Sequence, residues 1–164
     1  MAVENLKSTK VTNFEAGTSL ADGSRYGVGG FYHDTITTVE TTSSSTSTYK
    51  LMPLESNVIP KLISIRSDGT ADSPDTDVGL YHVQTATTYD GVITTALDLD
   101  DTGDHIAYNI GQAGTYKSGA PKALWELAGL TQDPGGNFYI FLSLDAANVA
   151  AGTHEVYMEA IAAQ

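Results

Sequence analysis

The 164 residues, with 20 acidic and 8 basic side chains, carry a formal net charge of −12, which argues against nucleic acid as a ligand because phosphate binding draws on Lys and Arg. The chain has no cysteine and no apolar run long enough to span a bilayer, so disulfides, thiolate metal sites and a membrane partner are not expected. The length suits one domain that buries roughly 70% of its unfolded surface, and with charged residues at 17% solubility leans on Ser and Thr hydroxyls, as in a β protein.

The opening MAVENLKSTK has no apolar core after its first basic residue, so no secretory signal is expected and the cytoplasm is the expected site of synthesis. Residues 1–22 are polar apart from isolated points at Leu6, Val11, Phe14 and Leu20. That spacing suits neither helix nor strand and predicts an extended arm, either a frayed terminus or a segment that lies on a neighbour, followed by a single domain over residues 23–164. An arm mixing Lys7 and Lys10 with Leu6, Val11 and Phe14 fits an element that lies along a neighbour's sheet edge. Those five residues are the candidate partner-binding set.

Arg25–Tyr32, RYGVGGFY, sets three glycines among aromatics, the pattern of a strand with a bulge or a close backbone approach. It lacks the G-x-G-x-x-G spacing of a dinucleotide site. Eleven of the fourteen residues from Thr35 to Thr48 are Ser or Thr. Strands over Thr35–Thr41 and Thr46–Met52 around a Ser-rich turn would form a hairpin; a flexible linker is the other reading. Next come strands over Ile59–Arg66 and Asp77–Val83. The second sets Val78, Leu80 and His82 against Gly79, Tyr81 and Val83. The intervening SDGTADSPDTD is turn-forming and predicts a long acidic hairpin loop.

Asp90-Gly91 is a turn signal between two Thr-rich runs. Val92–Leu99 alternates in part, and Ile106–Ile110 reads as a strand or a helical turn. Lys122–Leu130, KALWELAGL, is the one helical fragment, with Pro121 at its first position and Gly129 near its end. Asp133-Pro134-Gly135-Gly136 is a turn. Phe138–Leu144, FYIFLSL, is a buried strand. Thr153–Ile161 sets His154, Val156, Met158 and Ala160 against Glu155, Tyr157, Glu159 and Ile161, and the last two strands are expected to pair antiparallel. Many short strands with no βαβ alternation predict a mainly β chain, an antiparallel β-sandwich or jelly roll with one short helix near residues 122–130.

Catalytic signatures are missing from the sequence. His33, His82, His105 and His154 are scattered, with no H-E-x-x-H pair and no G-x-S-x-G elbow. The nearest approach to a metal site is Asp98, Asp100, Thr102 and Asp104 with Gly103 in the sixth place, like the opening of a Ca²⁺ loop. The twelfth place is Asn109 rather than Glu, so a solvated acidic loop is expected instead, and no cofactor. Between Arg66 and Lys117 there are nine Asp and no Lys or Arg, a block expected to face water.

The layout YKLMPLESNVIPKLISIRSD, then DTDVGLY, and late in the chain KALWELAGLTQDPGGNFYIFLSLDAANVAAGTHEVYMEAIA, resembles small virion structural proteins of tailed bacteriophages. The resemblance covers roughly residues 49–83 and 122–161. It implies a decoration (cement) or minor head protein without catalytic residues, bound on the capsid surface to the major capsid protein or to copies of itself. A trimer or other ring on the particle is expected from it, since repetition on a shell favours closed rings. The second expectation is a carbohydrate-binding β-sandwich using Trp125 and the nine tyrosines as stacking surfaces; an enzyme ranks last.

Overall fold

The structure is a computed structural model that describes residues 3–19, 30–37, 46–67, 75–99, 103–110, 121–144 and 152–161. Its elements are β1 (Asn5–Lys7), α1 (Thr9–Glu15), β2 (Phe31–Thr37), β3 (Thr48–Glu55), β4 (Ile59–Ser67), β5 (Asp75–His82), β6 (Thr87–Asp98), β7 (Gly103–Asn109), α2 (Leu124–Leu127), β8 (Asn137–Leu144) and β9 (Thr153–Ile161). They form a five-stranded sheet ordered β1-β3-β8-β5-β6 and a four-stranded sheet ordered β2-β9-β4-β7. Every pairing among β2 to β9 is antiparallel; only the three-residue β1 runs parallel to its neighbour, β3. The mainly β sandwich expected from the sequence is therefore present. Without β1, the orders 2-9-4-7 and 3-8-5-6 are the winding of a jelly roll.

The period-2 patterns set the core. In β9, His154, Val156, Met158 and Ala160 are buried and the alternate residues are not. In β8, Phe138, Ile140, Leu142 and Leu144 meet Leu51, Leu54, Val78 and Leu80 from their own sheet and Ile63, Ile65, Val156 and Met158 from the other, in one apolar cluster. α2 closes one end. Its Leu124 and Leu127 are buried, and the N–H groups of Leu124 and Trp125 donate to the Val58 and Ser56 carbonyls in the turn after β3. Glu126 reaches back to accept from the Ala123 N–H at 2.8 Å, and Gly129, at φ +78°, ends the turn. The helix is shorter than expected, and Pro121 lies ahead of it rather than at its first position.

Three expected pairings are corrected. β4 and β5 lie in different sheets, so the chain between them is not a hairpin loop. The same holds for β2 and β3, and for β8 and β9. Turn-forming residues dictate that the chain reverses; they do not dictate which sheet receives it. In this winding only β5 and β6 are both consecutive and paired. Their turn spans residues 83–86, where the Ala86 N–H reaches the Val83 carbonyl at 3.3 Å.

Asp90-Gly91 is also not a hairpin turn: it lies inside β6. Leu80 pairs with Tyr89 and Val78 with Thr94, so Gly79 alone stands opposite residues 90–93. This wide bulge folds against the outer face of the five-stranded sheet, where Asp90 accepts from the Ser143 hydroxyl at 2.6 Å. Asp77 accepts from the Ala96 N–H at 2.9 Å, with Ala96 at φ +53°. Two carboxylates of the acidic block thus stitch the bulge down instead of simply facing water. Asp68, Asp72, Asp100 and Asp101, and the side chains of Asp75 and Asp98, lie outside the described residues.

The N-terminal segment departs most from expectation. It is a short strand and a two-turn helix laid on the same five-stranded sheet, not an extended arm. Ser8 caps the helix by accepting from the Val11 N–H at 3.1 Å, and Gly17, at φ +71°, follows its end. Val11 is fully buried. Phe14 meets Tyr139 edge to face at 6.1 Å, and Glu15 accepts from the Tyr139 hydroxyl at 3.2 Å. Tyr139 and Phe141 are buried yet stand apart from the cluster between the sheets: they lie on the outer face, under α1 and beside the β6 bulge.

Burial and the neighbouring Glu15 carboxylate hold the Tyr139 hydroxyl well above the ordinary phenol range. The neutral phenol is therefore favoured in the fold. Its contribution is complete below the unfolded value near 10 and is lost as pH rises above it, where the unfolded state sheds its proton first. In alkaline urea titrations the protein is expected to lose roughly 1.4 kcal/mol per pH unit from this residue, and Tyr139→Phe is expected to flatten that slope. An unchanged slope would place the alkaline sensitivity elsewhere.

Candidate functional site

The two outer faces differ. That of the five-stranded sheet is covered in part by the chain's own α1 and the β6 bulge. That of the four-stranded sheet carries no described element. Its strands alternate, and the register lines the outward side chains into rows: Phe31, Glu159, Leu62 and Asn109; then His33, Tyr157, Ser64 and Ile106; then Thr35, Glu155, Arg66 and Asp104. Three large hydrophobic side chains are exposed among the described residues, and Phe31, at 85% exposure, and Ile106, at 41%, both belong to this face. Leaving a phenylalanine in water on a strand forfeits burial worth about 1.5–3 kcal/mol.

The rings are organised. His33 and Tyr157 stack with centroids 4.6 Å apart and planes 23° from parallel. The Tyr157 hydroxyl donates to Glu155 at 2.6 Å; that bond, ahead of burial, raises its pKa. Lys61 pairs with Glu159 at 2.7 Å, and Arg66 stands between Glu155 and Asp104 in register. On a chain of net charge −12, this face sets two of the bases among its acids. It offers an aromatic ledge bordered by carboxylates, with exposed ring surface at Phe31 and His33 and oxygens that accept hydrogen bonds.

Three of the buried ionisable groups hold the fold. Asp34, buried on β2, accepts from the Ser8 hydroxyl at 2.5 Å, from the Met52 N–H at 2.6 Å and from the Thr35 N–H at 2.9 Å. Met52 sits at φ +53°, at a bulge in β3, so one carboxylate joins the helix cap and both sheets. Glu4 accepts from the buried Tyr49 hydroxyl at 3.0 Å. His82, also buried, has Nε2 3.0 Å from the Gly135 carbonyl, to which it donates, and Nδ1 2.8 Å from the Thr85 hydroxyl.

The histidines are not brought together. His82 is on the five-stranded sheet and the other three on the four-stranded one, where His33 is exposed and His154 faces inward. Of the candidate Ca²⁺ ligands, Asp100, Thr102 and the side chain of Asp98 lie outside the described residues, and Asp104 is exposed on β7. Among the described residues no group of three or more His, Asp or Glu is arranged to hold a metal ion.

The candidate partner-binding set divides. Val11 is buried within its own domain, Leu6 packs against the core and Phe14 against Tyr139. Lys7 pairs with Glu15 at 2.5 Å, and Lys10 is exposed. Trp125 packs against the core as well. Sequence reading missed the ledge, although the outward position of Tyr157 was legible in the alternation of β9. Comparison with protein-family models, with curated proteins and with solved structures finds no match to this chain.

Proposed function

We propose that the protein is a non-enzymatic structural protein of a phage particle, a capsid decoration protein that binds the assembled head and stabilises it by bridging coat subunits. The strand order carries this reading. Two sheets ordered 2-9-4-7 and 3-8-5-6 have the jelly-roll winding that viral capsid domains use; the step from winding to role is one of fold analogy. The use of Asp34, Glu4 and His82 supports it, because each binds backbone or hydroxyl groups that the fold must satisfy. So does the resemblance of roughly residues 49–83 and 122–161 to virion structural proteins.

The test is cosedimentation with empty heads lacking the protein. Wild type is expected to pellet with them, saturate at a fixed ratio to the coat protein and raise the temperature at which the heads break. Protein that stays in the supernatant at all concentrations, or pelleting that never saturates, would overturn the reading.

A further inference from the structure

The geometry points to a binding site for a neutral oligosaccharide on the outer face of the four-stranded sheet, built on Phe31, His33 and Tyr157 with Glu155 beside them. The site goes beyond the shell reading and does not require it. His33 and Tyr157 already stack at 4.6 Å, which holds the Tyr157 ring in place, and Glu155 ties down its hydroxyl at 2.6 Å. A ring held at one face and at its hydroxyl loses little freedom when a ligand settles on it. Phe31 pairs with Glu159 and His33 with Tyr157, so Phe31 is the diagonal neighbour of Tyr157, and at 85% exposure it is open to contact.

Size and charge select the occupant. From β2 to β7, and from Phe31 to Thr35, the ledge measures roughly 14 Å on a side, about 200 Å². A stable protein interface needs about 800 Å² per partner, so a second copy of the chain is poorly served here, whereas a short sugar chain is well matched. Sugar rings present C–H groups that suit the faces of aromatic rings, and hydroxyls that donate to carboxylates such as Glu155 and Glu159. Glu155, Glu159 and Asp104 face Lys61 and Arg66 here, with Lys61 paired to Glu159 at 2.7 Å and Arg66 in register between the other two, so the ledge has no surplus of cations to hold a sialylated or sulfated glycan, which selects the neutral class.

The test applies full-length protein to an array printed with neutral and with sialylated oligosaccharides, in parallel with Phe31→Ala, Tyr157→Ala and Tyr157→Phe. Wild type is expected to bind neutral glycans. Each alanine variant should weaken binding by about tenfold or more, while Tyr157→Phe, which keeps the ring, stays within a few-fold. Circular dichroism checks that the variants fold; should one fail, His33→Ala, which removes half the stack from an exposed position, answers the same question. A silent array, binding confined to sialylated glycans, or binding unchanged in the alanine variants would overturn the proposal. So would a dimer seen by ultracentrifugation that Phe31→Ala dissolves. Pelleting with heads is a separate readout, so either reading can fail alone.

Discussion

Gly79→Ala is expected to destabilise the protein by about 3 kcal/mol or more and to lower Tm by roughly 6–12 °C. A methyl group there would lie 3.0 Å from the Asp90 Cα and closer still to the Tyr89 carbonyl oxygen. Both are backbone atoms, so neither can swing aside as a side chain would. Relief requires lifting the β6 bulge, which breaks the Asp90–Ser143 bond and the seal beside Phe141. Gly79 is thus the position that lets one strand carry a fold of its neighbour across it. Thermal melts followed by circular dichroism measure the effect, and a loss below about 1 kcal/mol would mean that the bulge is not held down as described.

Asp34→Ala should be comparably damaging, at roughly 3–5 kcal/mol. It removes the acceptor for the Ser8 hydroxyl and the Met52 and Thr35 N–H groups at once. Met52 then has neither glycine's freedom nor its carboxylate to hold φ +53°. Ser8→Ala alone loses the cap, worth about 1 kcal/mol. Because Ser8 and Asp34 touch, the double variant should cost less than the two single effects added. Strict additivity in urea titrations would show that the carboxylate does not couple the helix to the sheets.

The sequence displayed the strands but not their destinations. Alternation in Thr153–Ile161 and the apolar run in Phe138–Leu144 are local properties, and both emerged as read. Which sheet a strand joins depends on contacts between distant residues, such as Met158 against Ile63, and no turn chemistry encodes that. Asp90-Gly91 misled because the same dipeptide serves a bulge tip as well as a hairpin.

The helix α1 was obscured for a different reason. Thr9, Val11, Thr12, Asn13 and Phe14 are weak helix formers, so its stability comes from Asp34, Tyr139 and the edge of β3, all far along the chain. Its signals were Ser8 as a cap, Val11 and Phe14 three apart, and Gly17 beyond the end. The ledge was half visible: the outward position of Tyr157 could be read, but its stacking on His33 required knowing that β2 pairs with β9.

The proposed role on a particle is tested most directly by electron cryomicroscopy of heads made with and without this protein. Density for a β-sandwich is expected at symmetry-related positions on the outer surface of the coat, present in the first map and missing from the second. Identical maps, or density restricted to the interior or the tail, would contradict it.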